Sequence, residues 1–424
     1  MINRLEKLSP QFKKVLKASS LLADSLGFQV YLVGGVVRDL ILGKEVFDLD
    51  AVVVGDAIVF ARELSKRLKS SFKKHHAFGT AVVEFGGHKV DFATARTEHY
   101  THWGALPKVM PSTLEQDLFR RDFSINAMAI SLNKEDYGKF IDLHNSLQDL
   151  KKGLIRILHK KSFLEDPTRI MRAIRFEQRF DFTIERDTFK LMKEALGFGA
   201  LKFVNPHRLR DEIVLILKEP KPYRYIKRIK ELAGFSFIDS KLKLTKNALE
   251  LILRIERVIL RHKKKYKKRK EFQAWLVYLA GLLIGLPIKR IEKVFHVFGF
   301  RRGERAAVAI KNGIFKVKKL DKCENPRVIY RALIPYTLEG ILFFYAYYPK
   351  KSLRKNIDYF LDELAQVCLK VKGEDFKKLG FKPLNLYSNI FQKLTYAKVE
   401  KGLGSKEEEI EEAKAIFKRL NGKH

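Results

Sequence analysis

The hydrophobic pattern of this chain changes period once, near residue 150, and that change limits the fold more than any other feature. Up to it, short apolar runs suited to strands alternate with amphipathic stretches. FQVYLV (28–33) reads as a buried strand stopped by Gly34-Gly35, VVRDLILG (36–43) as a short helix closed by Gly43, and FDLDAVVV (47–54) as a second strand. AIVFARELSKRL (57–68) has helical spacing, while TAVVEF (80–85) and HKVDFATA (88–95) read as strands turned at Gly86-Gly87. Leu5, Leu8, Phe12, Val15 and Leu16 predict one amphipathic helix over 3–26, ended by Gly27. Beyond residue 150 helical stripes take over, in RIMRAIRFEQRF, DTFKLMKEAL, RLRDEIVLIL and ALELILRIERVIL. The expectation is an α+β chain, a mixed-sheet N-terminal part followed by an all-helical remainder.

Charge divides at the same place. Of a formal +35, residues 1–150 hold 20 Lys+Arg against 18 Asp+Glu, and the rest hold 64 against 31. An excess of that size points to a polyanionic partner, most often nucleic acid. It is densest in RHKKKYKKRK (261–270), which reads as a solvated face or, in this setting, as a contact for backbone phosphates. Cys323 and Cys368 are too few for a disulfide framework or a thiolate zinc site. No signal-peptide pattern opens the sequence, and a cytoplasmic location is expected. The longest apolar run, AWLVYLAGLLIGLPI (274–288), is shorter than the ~20 residues a membrane span needs. It contains Pro287 and reads as a buried helix.

Within the first part, VGGVVRDLILGKEVFDLDAV (33–52) sets Asp48 and Asp50 two residues apart. On a strand they share a face, with Leu49 turned to the core. Carboxylates that close raise each other's pKa unless a cation sits between them. Their hard oxygens suit Mg²⁺, and two such ions can clamp a phosphoryl or nucleotidyl transfer. Gly34 and Gly35, at a strand-to-helix turn, leave the first-turn amides open to a triphosphate. Arg38 either adds charge there or pairs with Asp39, and Asp91 either joins the same metals or is a structural acid. GxGxxG is absent, which argues against a dinucleotide site.

Two arginine-rich stretches follow. FRRDFSINAMAI (119–130) runs two arginines into an acid and then into an apolar face carrying Asn126. LEDPTRIMRAIRF (164–176) reads as a helix start, with Asp166 as N-cap, Pro167 at the first helical position, and Arg169, Arg172 and Arg175 at helical spacing. Outside any motif set, Asp166 and Arg169 would read as a cap and a surface ion pair.

Taken together, residues 31–52, 119–130 and 164–176 resemble the motifs of the class II tRNA nucleotidyltransferases, the family of CCA-adding enzymes and bacterial poly(A) polymerases. Those motifs run as GGxVRD…DxD, RRDFTxNA and EDxxR. Weaker similarity extends to DLHNSLQDLKKGLIR (142–156), RLRDEIVLIL (208–217) and LTYAKVEKGLGSKEEEIEEAK (394–414). The resemblance implies a polymerase β-like nucleotidyltransferase head with a helical neck, body and tail. We expect an N-terminal helix at 1–27, the head at 28–150, the neck at 151–220, the body at 221–320 and the tail at 321–424.

It also implies roles. Asp48 and Asp50 would hold two Mg²⁺, while Arg121, Asp122 and Asn126 would contact the ribose and triphosphate of CTP or ATP. Glu165, Asp166 and Arg169 would read the base, with Arg172 and Arg175 on the same helix. A carboxylate and a guanidinium one helical turn apart complement the amino donor and ring-nitrogen acceptor common to cytosine and adenine. Uracil and guanine present the reverse order and would leave charged groups badly paired, at a cost of ~1–3 kcal/mol. The implied partner is tRNA, gripped at its acceptor and TψC arms. Lys263, Lys264, Lys265, Lys267, Lys268, Arg269 and Lys270 are the expected phosphate contacts.

The chain departs from the family pattern at Asn145-Ser146, where a glycine pair is usual, at His207, where an acid is common, and at His102-Trp103 in THWGALPKVMP (101–111), where a proline is expected. Three activities compete. They are addition of C, A or CCA to tRNA, poly(A) synthesis, and RNA binding by a chain that kept the fold without catalysis. The intact acid pair argues against the last.

Overall fold

A serine–proline step splits the first predicted helix in two, α1 (Ile2–Leu5) and α2 (Pro10–Leu26). The proline ring forces the residue before it out of helical geometry, and Ser9 sits at φ −57°, ψ 151° with its Oγ accepting from Phe12 N–H at 3.3 Å. The computed structural model describes residues 2–266, 272–382 and 386–421. They form two compact units, Met1–Ile213 with Glu231–Ala233, and Val214–Lys230 with Gly234–His424.

The first unit is built on a seven-stranded mixed sheet in the order β3-β4-β5-β2-β1-β8-β9. The strands are β1 (Gln29–Val33), β2 (Leu49–Val54), β3 (Ser71–His75), β4 (Thr80–Phe85), β5 (His88–Thr94), β8 (Met128–Ser131) and β9 (Phe140–Asp142). Only the β2–β5 pairing is parallel, with Asp50 opposite Asp91; the other five are antiparallel. The β4–β5 hairpin turns at Gly86 and Gly87, as expected, both at positive φ. β6 (Arg96–His99) and β7 (Lys108–Pro111) form a separate hairpin whose loop carries Trp103.

One sheet face buries Leu49, Ala51, Val53 and Phe92; Phe92 meets Phe60 of α4 (Ala57–Leu68) at 5.3 Å between ring centroids. On the other face Tyr31, Val33, Val52, Ala127 and Ala129 pack with Leu118. Leu118 belongs to α5 (Leu114–Phe119), and α3 (Gly35–Leu42) follows β1 directly. Then come α6 (Ser146–Lys152), α7 (Ser162–Glu165), α8 (Thr168–Phe180), α9 (Arg186–Gly197) and α10 (Pro206–Lys218). One departure from the all-helical remainder occurs here: β10 (Leu154–Ile155) pairs in parallel with β11 (Thr183–Ile184). Two residues each are too short to show an alternating pattern in sequence.

Helices continue as α11 (Pro222–Leu232), α12 (Lys246–Lys265), α13 (Ala274–Leu283), α14 (Ile288–Val297), α15 (Ala306–Lys318), α16 (Pro326–Leu333), α17 (Leu338–Tyr347), α18 (Lys351–Asp362), α19 (Gly373–Lys378), α20 (Tyr387–Lys401) and α21 (Lys406–Asn421). The apolar α13 is buried from Trp275 to Leu283, as its composition predicts. Among the described residues no single helix is long and apolar enough to cross a membrane. The chain's end has its own core of Val371, Phe376, Phe381, Ile390, Leu394 and Ile416.

Candidate functional site

The acids stand where two parallel strands meet. Asp50 is the second residue of β2 and lies in register with Asp91 of β5, with Leu49 fully buried behind them. Asp48 falls one residue before β2, so the predicted strand begins two residues late and the three acids come from two strands and a loop end. Asp50 is open to solvent on its outer side, yet the protein crowded around it desolvates the carboxylate and raises its pKa. Asp91 adds to that rise and Arg121 opposes it, with a smaller contribution from Asp48. Asp91 is raised by desolvation and then by Asp48. Asp91 and Asp48 thus both bear on Asp50, and Asp48 bears on Asp91. Among the described residues no group of three His, Cys, Asp or Glu side chains is drawn together closely enough to hold a metal by itself. Mg²⁺ typically takes one or two carboxylates and completes its shell with phosphates and water, so the donor set fits that ion.

Gly34 caps α3 at φ 76°, a conformation that favours glycine. A Cβ there would lie 2.9 Å from Arg121 Nη1, so the missing side chain also makes room for that guanidinium. Arg121 donates to Asp117 Oδ2 at 2.8 Å. Asp117 is completely buried within α5 and holds Arg120 as well, at 2.6 Å. Burial opposes ionisation of Asp117, but the two guanidinium groups override it and lower its pKa.

Arg38 resolves its two readings in favour of the ion pair. Its Nε and Nη2 donate to Asp39 at 2.9 Å each, and Nη1 donates to Asn126 Oδ1 at 2.6 Å. Asn126 in turn donates from Nδ2 to Asp122 Oδ1 at 2.9 Å. Asp122 Oδ2 accepts from Arg172 Nε and Nη2 at 2.9 and 2.5 Å. Arg172 reaches Glu212 of α10 at 3.4 Å, and Glu212 lies 3.5 Å from Arg175. Burial would raise the Asp122 pKa, but Arg172 and Asn126 bring it down to about 2.

Beside this network opens a polar cleft of about 430 Å³, lined by Arg121, Asp122, Asp166, Arg169, Arg172 and Arg208 among others. Asp166 faces it with one oxygen on Thr168 N–H at 3.1 Å and the other accepting from Arg208 at 2.8 Å. Arg169 is held by Ser162 Oγ at 2.5 Å and the Arg120 carbonyl at 2.8 Å. Arg121 borders both this cleft and the acid pair.

Comparison with known proteins identifies the arrangement. Residues 30–156 match the family described as Poly A polymerase head domain, and 181–238 the probable RNA and SrmB-binding site of polymerase A. The chain is 31% identical to the solved Thermotoga maritima CCA-adding enzyme complexed with tRNA-CCA, covering 98% of each chain at a TM-score of 0.76. This chain belongs to the family of tRNA nucleotidyltransferases and poly(A) polymerases. Among curated relatives, the A-adding tRNA nucleotidyltransferase of Geobacter sulfurreducens is 35% identical over 91% of this chain and 45% of its own length. That of Aquifex aeolicus is 38% identical over 85% and 44%. The chain spans about half the length of these curated relatives.

Within this tRNA nucleotidyltransferase-family fold, some expected residues lie elsewhere. Glu165 turns to His159, 3.5 Å away, and Arg175 pairs with Glu212; neither lines the cleft. The α8 cap is displaced by one, because Pro167 stands at the N-cap and the helix starts at Thr168, although Asp166 still accepts from the Thr168 amide. Lys263 and Lys264 are exposed on the last turn of α12. Lys265 pairs with Asp362 at 2.6 Å. Lys267, Lys268, Arg269 and Lys270 lie outside the described residues. Asp117, Arg208 and Glu212 were not among the residues expected from sequence. Asp117 was legible as an acid three and four positions before Arg120-Arg121 on a helix face. Nothing local distinguished Arg208 or Glu212 within their segment.

Proposed function

We propose that this chain is a template-independent nucleotidyltransferase that extends the 3′ end of tRNA with C, A or both, from CTP or ATP, releasing pyrophosphate. The observation that carries the proposal is the Asp50–Asp91 register with Arg121 bordering both the acids and the cleft. Asp48 and Asp50, with Asp91 beside them, would supply the one or two carboxylates that Mg²⁺ takes, phosphate oxygens and water completing its shell. Bound there, the ion would lower the pKa of the primer hydroxyl and neutralise charge on the leaving pyrophosphate. Arg121 would steady the triphosphate together with the first-turn amides at Gly35. Asp122 and Asn126, positioned by Arg172 and Arg38, would meet the ribose. Asp166 and Arg169 would read the base edge, with Arg208 orienting the carboxylate. Exposed Lys263 and Lys264 would contact tRNA phosphates.

Among these specificities we favour terminal A addition. The curated A-adding relatives match over 85–91% of the chain. Asn145 also occupies the left-handed region at φ 55°, where a glycine would leave the segment freer to reorient between different bases. The deciding experiment offers CTP and ATP to tRNA transcripts ending without CCA, in C, and in CC. Extension of the CC-ending transcript by one A is the expected result. No incorporation on any transcript overturns the reading, and long tails on unstructured RNA replace it with poly(A) synthesis.

A further inference from the structure

The loop between β6 and β7 carries an exposed aromatic cluster that the site described above does not use. Trp103 is 46% exposed, and its ring centroid lies 6.2 Å from Phe198 and 6.3 Å from Phe203, which are 65% and 54% exposed. The interplanar angles are 51° and 80°, so the rings do not stack on one another, and each keeps a large exposed area. The cluster is built in. Gly104, at φ 72°, brings the loop so close that a Cβ there would lie 2.8 Å from the Phe203 carbonyl, and Gly104 N–H donates to the Leu164 carbonyl at 3.3 Å. Large apolar side chains exposed together in this way mark an interaction surface.

Three short tethers set the cluster beside the cleft. Tyr100, three residues before Trp103, donates its hydroxyl to cleft-lining Glu98 at 2.7 Å. Leu164 lies two residues before Asp166, and Phe203 five before Arg208. Five residues span at most ~17 Å, so the tethers keep the cluster in the neighbourhood of the cleft. Exposed Lys202 and Lys108 give the neighbourhood a cationic rim.

Resting on the proposed function, we propose that Trp103, Phe198 and Phe203 form a stacking platform for the unpaired 3′-terminal nucleotides of the RNA primer. Every base has a π-face, so an aromatic platform tolerates any sequence, and basic neighbours suit the backbone that accompanies it. The other candidate occupant, a second copy of this chain, would not need the cationic rim.

The chain has two tryptophans, and Trp275 is buried, so Trp103 dominates any ligand-induced change in intrinsic fluorescence. The full chain is titrated, without nucleotides, with an acceptor-stem minihelix bearing a two-nucleotide 3′ overhang and with the same minihelix made blunt. Quenching by the overhang alone is expected, with tighter binding. Phe198→Ala/Phe203→Ala should weaken overhang binding by ~10-fold, leave blunt binding and the thermal melt unchanged, and be rescued by Phe198→Tyr/Phe203→Tyr. Equal quenching by both RNAs, equal weakening on both, or self-association that the alanine pair abolishes overturns the platform. Because the readout is binding, a chain that adds no nucleotide yet discriminates the overhang sinks the proposed function alone. A chain that extends tRNA with unchanged overhang affinity in the alanine pair sinks the platform alone.

Discussion

Asp50 and Asp122 sit in one site under opposite electrostatics. Asp50 is crowded by acids, with Arg121 only partly offsetting them, whereas Asp122 is locked to Arg172. Asp50→Asn should therefore lower incorporation by about three orders of magnitude or more, with tRNA affinity within about twofold, as measured by single-turnover assay and filter binding. Arg172→Ala leaves Asp122 buried without its main partner. It should cost about 2 kcal/mol in urea denaturation, discounted because the guanidinium end is partly open to water. The pH dependence follows from the same pair. The Asp122 pKa is depressed in the folded chain to about 2 from 3.8, so its contribution is full above about pH 4 and is lost as pH falls through 2. That contribution is ~2 kcal/mol, and Asp122→Asn should flatten stability between pH 4 and 2 relative to the unaltered chain.

At the scale of elements, the β1–α3 turn and the α5 end act together. The positive φ of Gly34 and the proximity of Arg121 are two separate demands on one position. Gly34→Ala should destabilise the chain by ~1–2 kcal/mol through backbone strain and displace Arg121. The expected kinetic result is an approximately tenfold higher KM for the nucleoside triphosphate, with overall tRNA affinity retained. Helix α8 shows how one element serves two purposes. Its arginines at 169 and 172 line the cleft while Arg175 does not and pairs with Glu212, because helical spacing rotates successive positions away from a single edge.

Across the whole chain, charge and chemistry occupy different stretches of sequence. Nearly all the positive excess follows residue 150, while the acid cluster precedes it. Lys263→Gln/Lys264→Gln should weaken tRNA binding and reduce the slope of log K against log salt by ~0.9 for each phosphate the chain no longer neutralises, as read from filter binding over a salt series. Lys265→Gln should have a smaller effect, since Asp362 already neutralises it. The elements were largely legible in the sequence. The strands at 28–33 and 80–95, the glycine turns and the helix at 57–68 appear where periodicity and capping place them, and the buried helix expected over 274–288 forms over Ala274–Leu283. Other features escaped: the break at Ser9-Pro10, Asp48 lying outside β2, the α8 cap one residue on, the strands β3, β6, β7, β8 and β9, and the minimal β10–β11 pair. By itself the sequence determined the change from a mixed strand–helix part to a helical one and the nearness of Asp48 to Asp50, because local sterics and hydrophobic period act over a few residues. Tertiary structure alone decided that Arg38 serves Asn126, that Asp122 meets Arg172, that Asp91 completes the acid cluster and that Glu165 turns away. A chain with this many arginines offers each acid many partners, and only the packing of sheet and helices brings one of them within hydrogen-bond distance.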